Sequence, residues 1–483
     1  MHIILSVFLI LAGTHGVMTP INNPSALWDN DILIWDMTGN STWAGPGLTY
    51  CTGIFGPFEM EYAASITDST GSQGDVIKIF SSSDGGNNWQ LENWITGGDW
   101  ILTDPEICLG NSIPAEYFFL FFTGTTQTAI QPYGMRYTLP DFIFDAFLMP
   151  DWPSSDTLLS IEAICHPETG ELWVFGDDSD HNINLSRSTD HGNNWTTTEL
   201  VASDAILPAA APGPAGWTYL TYRRISDNKI MSISFGETSY YETEVADGGD
   251  TSAPIIASEQ SGSGDHVSIV YHDASFGIRM ALSDDNGATW SVSSPISNGY
   301  YPFIDVFRQT KQSALAFIDY NTQKIYYASA TNLVDLATQS PDSISNESVF
   351  MGGPPVIRHG GLPSEVGLFY MNPDSGSSPA PSNIWYDNSL HTQSNPETGH
   401  VVINGLSVGP NPFTDQFTVK FELDTPGECS LLIYSMDGRV VESVYNGVTD
   451  GETMNSGENL PTGIYSVVLK TGNSVTTSRV VKL

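Results

Sequence analysis

The reactive groups of this 483-residue chain are mostly carboxylates. Asp plus Glu number 55 against 16 Lys plus Arg, a formal net charge of −39. Carboxylate pairs about 5 to 10 Å apart, as a glycoside hydrolase uses, arise by chance among so many acids. Such pairs mean something only once elements position them. One acidic run, Asp177-Asp178-Ser179-Asp180, offers enough oxygens for Ca²⁺. No other metal or cofactor is indicated. Hydrolase signatures built on His, phosphate-binding loops and zinc-protease motifs are absent. The same negative field repels phosphate, which argues against nucleic acid or anionic lipid as a partner.

The elements that hold these groups are β-strands. Hydrophobic residues make up 40% of the chain and aromatics 11%, enough for a large core. Gly and Pro, 45 and 29, favour many turns and short strands. One motif recurs three times: Ser82-Ser-Asp84-Gly-Gly86-Asn-Asn-Trp89, Ser188-Thr-Asp190-His-Gly192-Asn-Asn-Trp195 and Ser283-Asp-Asp285-Asn-Gly287-Ala-Thr-Trp290. It reads as a hairpin turn. The Asp carboxylate accepts backbone N–H groups of its own turn. The Gly supplies a conformation that a Cβ would penalise. The Trp opens the next strand and wedges a large ring under the turn. These roles account for Asp84, Asp190 and Asp285 without catalysis.

A second periodicity runs alongside. Short apolar strands start at Leu48, Pro105, Glu162, Pro208, Pro254, Pro302 and Pro354, 46 to 57 residues apart. Each is followed by a second apolar strand, such as Tyr117 to Phe122 or Val267 to Tyr271. This is the period of a propeller blade. The expected fold is all-β: a seven-bladed propeller, six blades being the alternative, followed by a small C-terminal Ig-like β-sandwich. Asp31 to Trp35 is a strand with no blade of its own and is expected to complete the last unit, closing the ring.

The triple motif resembles the Asp box of the sialidase-like, or BNR-repeat, β-propellers over roughly residues 30 to 390. That resemblance implies four-stranded blades around a central channel, with the motif turns on the face opposite the ligand funnel. Loops on the funnel face then carry the ligand candidates Asp104, Asp178, Asp180, Arg223, Arg224, His272, Asp273, Tyr300 and Tyr301, together with Glu106, Asp177, His181, Asp319 and Tyr320. Aromatic platforms and carboxylates of this kind suit a sugar. Sialidase chemistry asks for more: three arginines on a carboxylate, a Tyr–Glu nucleophile and an acid/base Asp. The family's Arg-Ile-Pro motif has no counterpart in Leu48 to Phe55. A triad from Arg223 or Arg224, Arg279 and Arg358 has no motif behind it, and Arg187 adjoins a motif turn. No catalytic residue is carried over.

Cys51, Cys108 and Cys165 recur at one place in three successive strands, as small buried side chains or as a thiol cluster, and Cys429 stands apart. Residues 1–16 read as a secretory signal, with the apolar run Ile3 to Ala12 and small residues at Gly13, Thr14 and Gly16. No stretch is long and apolar enough to be a transmembrane helix. The propeller is expected over 17–387 and a polar linker over 388–405. Residues 406–483 hold Pro410-Asn411-Pro412-Phe413, Tyr434-Ser-Met-Asp-Gly438-Arg439, Leu460-Pro-Thr-Gly463-Ile-Tyr465 and a terminal Val481-Lys482. In this order they resemble the C-terminal sorting domain of the bacterial type IX secretion system. An adhesive or spacing Ig-like module is the alternative. The resemblance implies secretion machinery as a partner and a secreted or surface-attached location. The leading expectation is thus an exported propeller binding an extracellular glycan or protein. The alternatives are a divergent exo-glycoside hydrolase using the same funnel, and a purely structural surface protein.

Overall fold

A computed structural model describes residues 32–35, 48–55, 58–69, 75–82, 89–96, 101–110, 116–125, 130–139, 143–152, 158–236, 240–259, 266–307, 311–344, 355–359, 366–373, 382–388, 403–435, 440–471 and 475–483. Among the described residues, seven antiparallel four-stranded sheets follow one another along the chain. The first comprises Leu48–Phe55, Phe58–Ser69, Asp75–Ser82 and Gln90–Thr96. The second comprises Ile101–Leu109, Tyr117–Thr125, Ile130–Thr138 and Ile143–Leu148. The third comprises Leu158–Cys165, Leu172–Asp178, Asn182–Ser188 and Glu199–Ser203. Ala205–Pro212, Thr218–Arg224, Lys229–Phe235 and Tyr240–Asp247 form the fourth. Ile255–Ser258, Val267–His272, Ile278–Ser283 and Ser291–Val292 form the fifth. Gly299–Val306, Ser313–Asp319, Ile325–Ala330 and Asp342–Ser343 form the sixth. The seventh takes Val356–His359, Val366–Pro373 and Ser382–Asn388, and borrows Ile32–Trp35 from the other end of the ring.

The first strand of each sheet adjoins the first strand of the next, and that of the seventh adjoins that of the first. The sheets are therefore blades around a hub. Ile32–Trp35 pairs antiparallel with Ser382–Asn388, matching Ile32 to Tyr386 and Leu33 to Trp385. This pairing ties the two ends of the ring by main-chain hydrogen bonds, so the seventh blade is as complete as the others.

Second strands lie between two neighbouring blades and are covered on both faces. Leu172–Asp178, Val267–His272 and Ser313–Asp319 are buried along their whole length. That is why they read as continuous apolar runs rather than alternating ones. The core is a series of seams between blades. One seam joins Phe119, Phe121 and Leu148 of blade two to Leu172 and Val174 of blade three. Cys165 is buried in this seam and Cys108 packs against it. The side chain of Cys51 lies outside the described residues.

The recurring motif builds the same turn in blades three and five. Asp190 Oδ1 accepts from Asn194 N at 2.8 Å and from Ser188 Oγ at 2.9 Å. Asp285 Oδ1 accepts from Thr289 N and Ser283 Oγ, both at 2.8 Å. Gly192 and Gly287 both sit at φ +83°, where a Cβ is strained. The indole Nε1 donates to the motif Gly carbonyl at 3.0 Å in Trp195 and 3.1 Å in Trp290. The Trp also leans on the preceding blade, which the sequence did not suggest. Trp195 meets Phe121 edge-on at 6.0 Å, Trp290 Nε1 donates to Thr243 Oγ1 at 3.1 Å, and Trp89 meets Phe369 edge-on at 5.1 Å. Each turn thus buckles one blade to its neighbour. Asp84 and Gly86 of the first copy lie outside the described residues.

The C-terminal segment forms five strands: Ile403–Gly409, Phe417–Ser435, Val440–Ser456, Gly463–Thr471 and Val475–Lys482. The first begins inside the stretch expected to be linker. The strands are hydrogen-bonded into a single sheet, and the register of the two longest slips between Glu422 and Gly427. Its core holds Phe413, Phe417, Val419, Leu431, Val467 and Val480. The motif residues stitch the last strand in place. Asn411 Nδ2 donates to Arg479 O at 2.8 Å, and Asn411 Oδ1 accepts from Val481 N at 2.9 Å. Lys482 is buried, and its Nζ donates to the carbonyls of Gly457 and Glu458 at 2.7 and 2.8 Å.

Candidate functional site

Each first strand enters the ring at the end where the second and third strands turn, since Leu158 pairs with Asp178 and Ala205 with Arg224. The motif turns join third and fourth strands and lie at the other end. The candidate loops therefore share one face, as the resemblance implied. In three blades the first strand carries the same distortion there. Asp104, Leu207 and Tyr301 sit at φ 52°, 57° and 49°, each directly before a proline. Each lies within a register slip, Thr103 to Glu106, Ile206 to Ala209 and Tyr300 to Phe303. Left-handed backbone at a non-glycine costs on the order of 1–3 kcal/mol and concentrates at functional sites.

At the hub these strands assemble carboxylates from several blades. Asp104 Oδ2 accepts from Ile161 N of the next blade. Asp177 Oδ1 accepts from Ser160 N at 2.7 Å and Ser160 Oγ at 2.6 Å, and its Oδ2 accepts from Leu207 N at 3.0 Å. Glu162 interacts electrostatically with Asp104 and, across the ring, with Arg358 of blade seven. Arg358 Nη1 donates to Asp305 Oδ1 of blade six at 3.0 Å and stands over the Phe303 ring. Asp104 and Glu162 keep some accessible surface but are enclosed by protein. That burial pushes Asp104 up to about 7, helped by the Asp177 charge and opposed by the Ile161 N–H. Burial pushes Glu162 up to about 8, opposed by an Ala210 hydrogen bond and by Arg358. Burial raises Asp177 too, against its hydrogen bonds from Ser160 and Leu207. Burial thus makes the hub carboxyls weaker acids than free ones.

Blades five and six contribute an aromatic cluster on the same face. Phe276 stacks on Tyr320 at 5.0 Å and meets Tyr300 edge-on at 5.4 Å. Tyr300 lies 4.9 Å from Tyr320 and 6.1 Å from Tyr301. His272 lies under this group, stacked on Phe276 at 5.7 Å. Tyr320 is 45% exposed. Phe276 has φ 60°, so two bulky residues, Phe276 and Tyr301, hold left-handed backbone to present these rings.

Several expected ligand residues have other work. Asp178 is buried and accepts from the backbone N–H of Asp180 and Asn182, both at 2.9 Å, and from Asn184 Nδ2 at 3.0 Å. It shapes a turn. Asp180 is exposed on that turn and His181 sits beside it at φ 62°. The acidic run therefore does not converge on a Ca²⁺ position, and among the described residues no group of three or more His, Cys, Asp or Glu could hold a metal. Asp273 accepts from Ser275 N and Gly277 N at 2.9 Å and from Arg279 Nε at 2.8 Å, and these partners hold it down at about 2 despite partial burial. Asp319 likewise accepts from its own turn, at Asn321 N and Thr322 N.

The arginines of the imagined triad are held apart by different acceptors. Arg224 pairs with Asp227 at 2.7 Å and with Glu244 of the outermost strand at 3.2 Å. Arg223 Nη1 donates to Asn228 Oδ1 at 2.8 Å, Arg279 belongs to Asp273 and Arg358 to Asp305. Arg187 pairs with Glu199 of its own outer strand, away from the hub. His272 is buried, with Nε2 3.1 Å from Thr251 Oγ1, and burial holds its pKa below the ordinary imidazole value. Of the expected residues, Tyr300 and Tyr301 join the aromatic cluster and Asp104 lies at the hub. Sequence reasoning passed over Glu162, Asp305 and Phe276. Glu162 is an acid inside an apolar hub strand, and Phe276 an aromatic inside a polar turn. Either exception was a usable signal.

Comparison with known proteins follows the two-part architecture. Residues 407–483 match the family described as the secretion system C-terminal sorting domain. No curated protein matches the chain's sequence. Among solved structures, the chain is similar to the BP39L lectin from Burkholderia pseudomallei, at 12% identity over 71% of this chain and 98% of that one, with a TM-score of 0.49. It is similar to the Hadza microbial sialidase Hz136 at 13% identity over 62% and 67% of the two chains, TM-score 0.44. It is also similar to the intramolecular trans-sialidase from Ruminococcus gnavus at 13% identity over 74% and 96%, TM-score 0.41. Among the described residues no helix is long and apolar enough to cross a membrane. The C-terminal domain marks the chain for export by the type IX machinery, to be secreted or held at the cell surface.

Proposed function

We propose that this protein is an exported β-propeller that binds an extracellular glycan on the face bearing Phe276, Tyr300, Tyr301 and Tyr320. Residues 1–16 act as its secretory signal and 406–483 as its sorting domain. The observation that carries the reading is the aromatic cluster: rings from two blades gathered within about 5 to 6 Å, held there by strained backbone and partly open to water. The test is a glycan array with the full chain and Tyr320→Ala. The expected result is one class of glycan retained by the parent and lost in the variant. No glycan bound by the parent would end the reading.

The hub supports a second reading, a glycoside hydrolase. Asp104 and Glu162 interact, and burial raises both above the ordinary carboxylate range, the direction a general acid needs. Hydrolysis of a panel of aryl-glycosides, abolished by Asp104→Asn, supports that reading. Binding without turnover removes it.

A further inference from the structure

Away from the hub, a groove of about 600 Å³ opens where the outer half of blade two meets the motif turn of blade three. Its walls include Gln131, Tyr133, Met149, Trp152, Asn193 and Trp195. We infer that this groove is a second binding site and that it takes a neutral oligosaccharide. Its size lies within the range of about 300–1,000 Å³ usual for small-ligand sites. Three aromatic rings line it, and a fourth extends it: Phe147 lies tilted against Tyr133 at 5.8 Å while remaining 49% exposed. Met149, 61% exposed, continues the apolar rim.

The polar groups decide the ligand's chemistry. Gln131 and Asn193 are amides, which both donate to and accept from hydroxyls. Trp152 is 8% exposed, yet its indole Nε1 has no hydrogen-bond partner. A buried donor of this kind costs free energy until an acceptor reaches it. A sugar oxygen supplies one. Among the described residues the lining contains an acid, Asp151, and no Lys or Arg. The nearby Arg136 is held by Asp145 at 2.6 Å and by the His191 carbonyl at 2.7 Å. In a chain of net charge −39 such a site repels anionic sugars. An extended peptide would need a row of main-chain partners, whereas these walls offer side-chain amides and an indole.

The site is separate from the aromatic cluster of blades five and six, so the two are tested apart. Calorimetric titration of the full chain uses neutral tetrasaccharides of glucose, xylose and mannose, with sialyllactose and an apolar decapeptide as controls. At least one neutral tetrasaccharide is expected to bind. Trp152→Phe keeps the ring and removes the donor. Met149→Glu charges an exposed rim position without disturbing the core. Each is expected to weaken that binding by about tenfold or more, the factor set by about 1.4 kcal/mol, and Met149→Glu to do so with the unfolding temperature unchanged. Tyr320→Ala is expected to leave it intact. The inference is overturned by no binding of any neutral tetrasaccharide, by binding insensitive to both groove variants, or by preference for sialyllactose or the peptide. Binding lost only in Tyr320→Ala overturns the groove while sparing the proposed function. Binding lost only in the groove variants is the expected result and leaves the proposed function to the glycan array.

Discussion

Replacing Trp195 by Ala tests whether the motif turns hold the blades together. The side chain does two things: its ring meets Phe121 of blade two edge-on at 6.0 Å, and its Nε1 donates to Gly192 O at 3.0 Å. Truncating a buried Trp costs about 3–5 kcal/mol. Trp195 is only half-buried, so the lower end applies, about 3 kcal/mol, with roughly 1 kcal/mol of it from the hydrogen bond. Amide hydrogen exchange of the full chain reads this locally. Strands Tyr117–Thr125 and Leu172–Asp178, on the two sides of the seam, should exchange faster by roughly a hundredfold, since 1.4 kcal/mol is a factor of ten. Trp195→Phe, which keeps a ring against Phe121 and loses the donor, should show only about a fivefold effect. Combining each with Phe121→Leu should reveal a coupling of about 0.5–1.5 kcal/mol. Acceleration confined to blade three, with blade two unchanged, would refute the buckle. So would equal effects of Phe and Ala.

The hub carboxyls make stability depend on pH in the unusual direction. Asp104 rises from 3.8 to about 7 and Glu162 from 4.5 to about 8, so between those limits the folded chain binds more protons than the unfolded one. Their contribution is full below about pH 4 and is lost as pH rises through 7 to 8; Asp104→Asn should flatten the fall, and urea unfolding at pH 5 and pH 8.5 checks this. In the sorting domain, Lys482→Met leaves the carbonyls of Gly457 and Glu458 without their charged donor. It should destabilise that domain by about 1.5–3 kcal/mol and reduce export, read by fractionating cells and blotting for the chain. Deleting residues 406–483 should leave a folded propeller in the periplasm, whereas normal surface delivery would refute the sorting role.

The sequence alone determined the blades. Second strands such as Leu172–Asp178 are covered by neighbours on both faces, and that burial writes itself into the chain as unbroken apolar runs at a regular period. The motif turn was equally legible in Asp190 and Asp285, because its hydrogen bonds all fall within a few residues of each carboxylate. The tail was legible too, since Asn411 and Lys482 sit in motifs. The tertiary structure decided which polar residues face a ligand. Asp178 and Asp273 look in sequence like Asp104, but their lone pairs are taken by turn N–H groups, while Asp104 is carried by a distorted strand to the hub. Glu162 gains its character first from burial in the closed ring, then from Arg358, nearly two hundred residues away, and Asp104 on the preceding blade. The groove beside Trp152 draws its walls from two blades. A local turn is fixed by neighbours in the chain. A proton affinity, an aromatic cluster or a cleft is fixed by whichever distant residues the closed ring brings within a few ångströms.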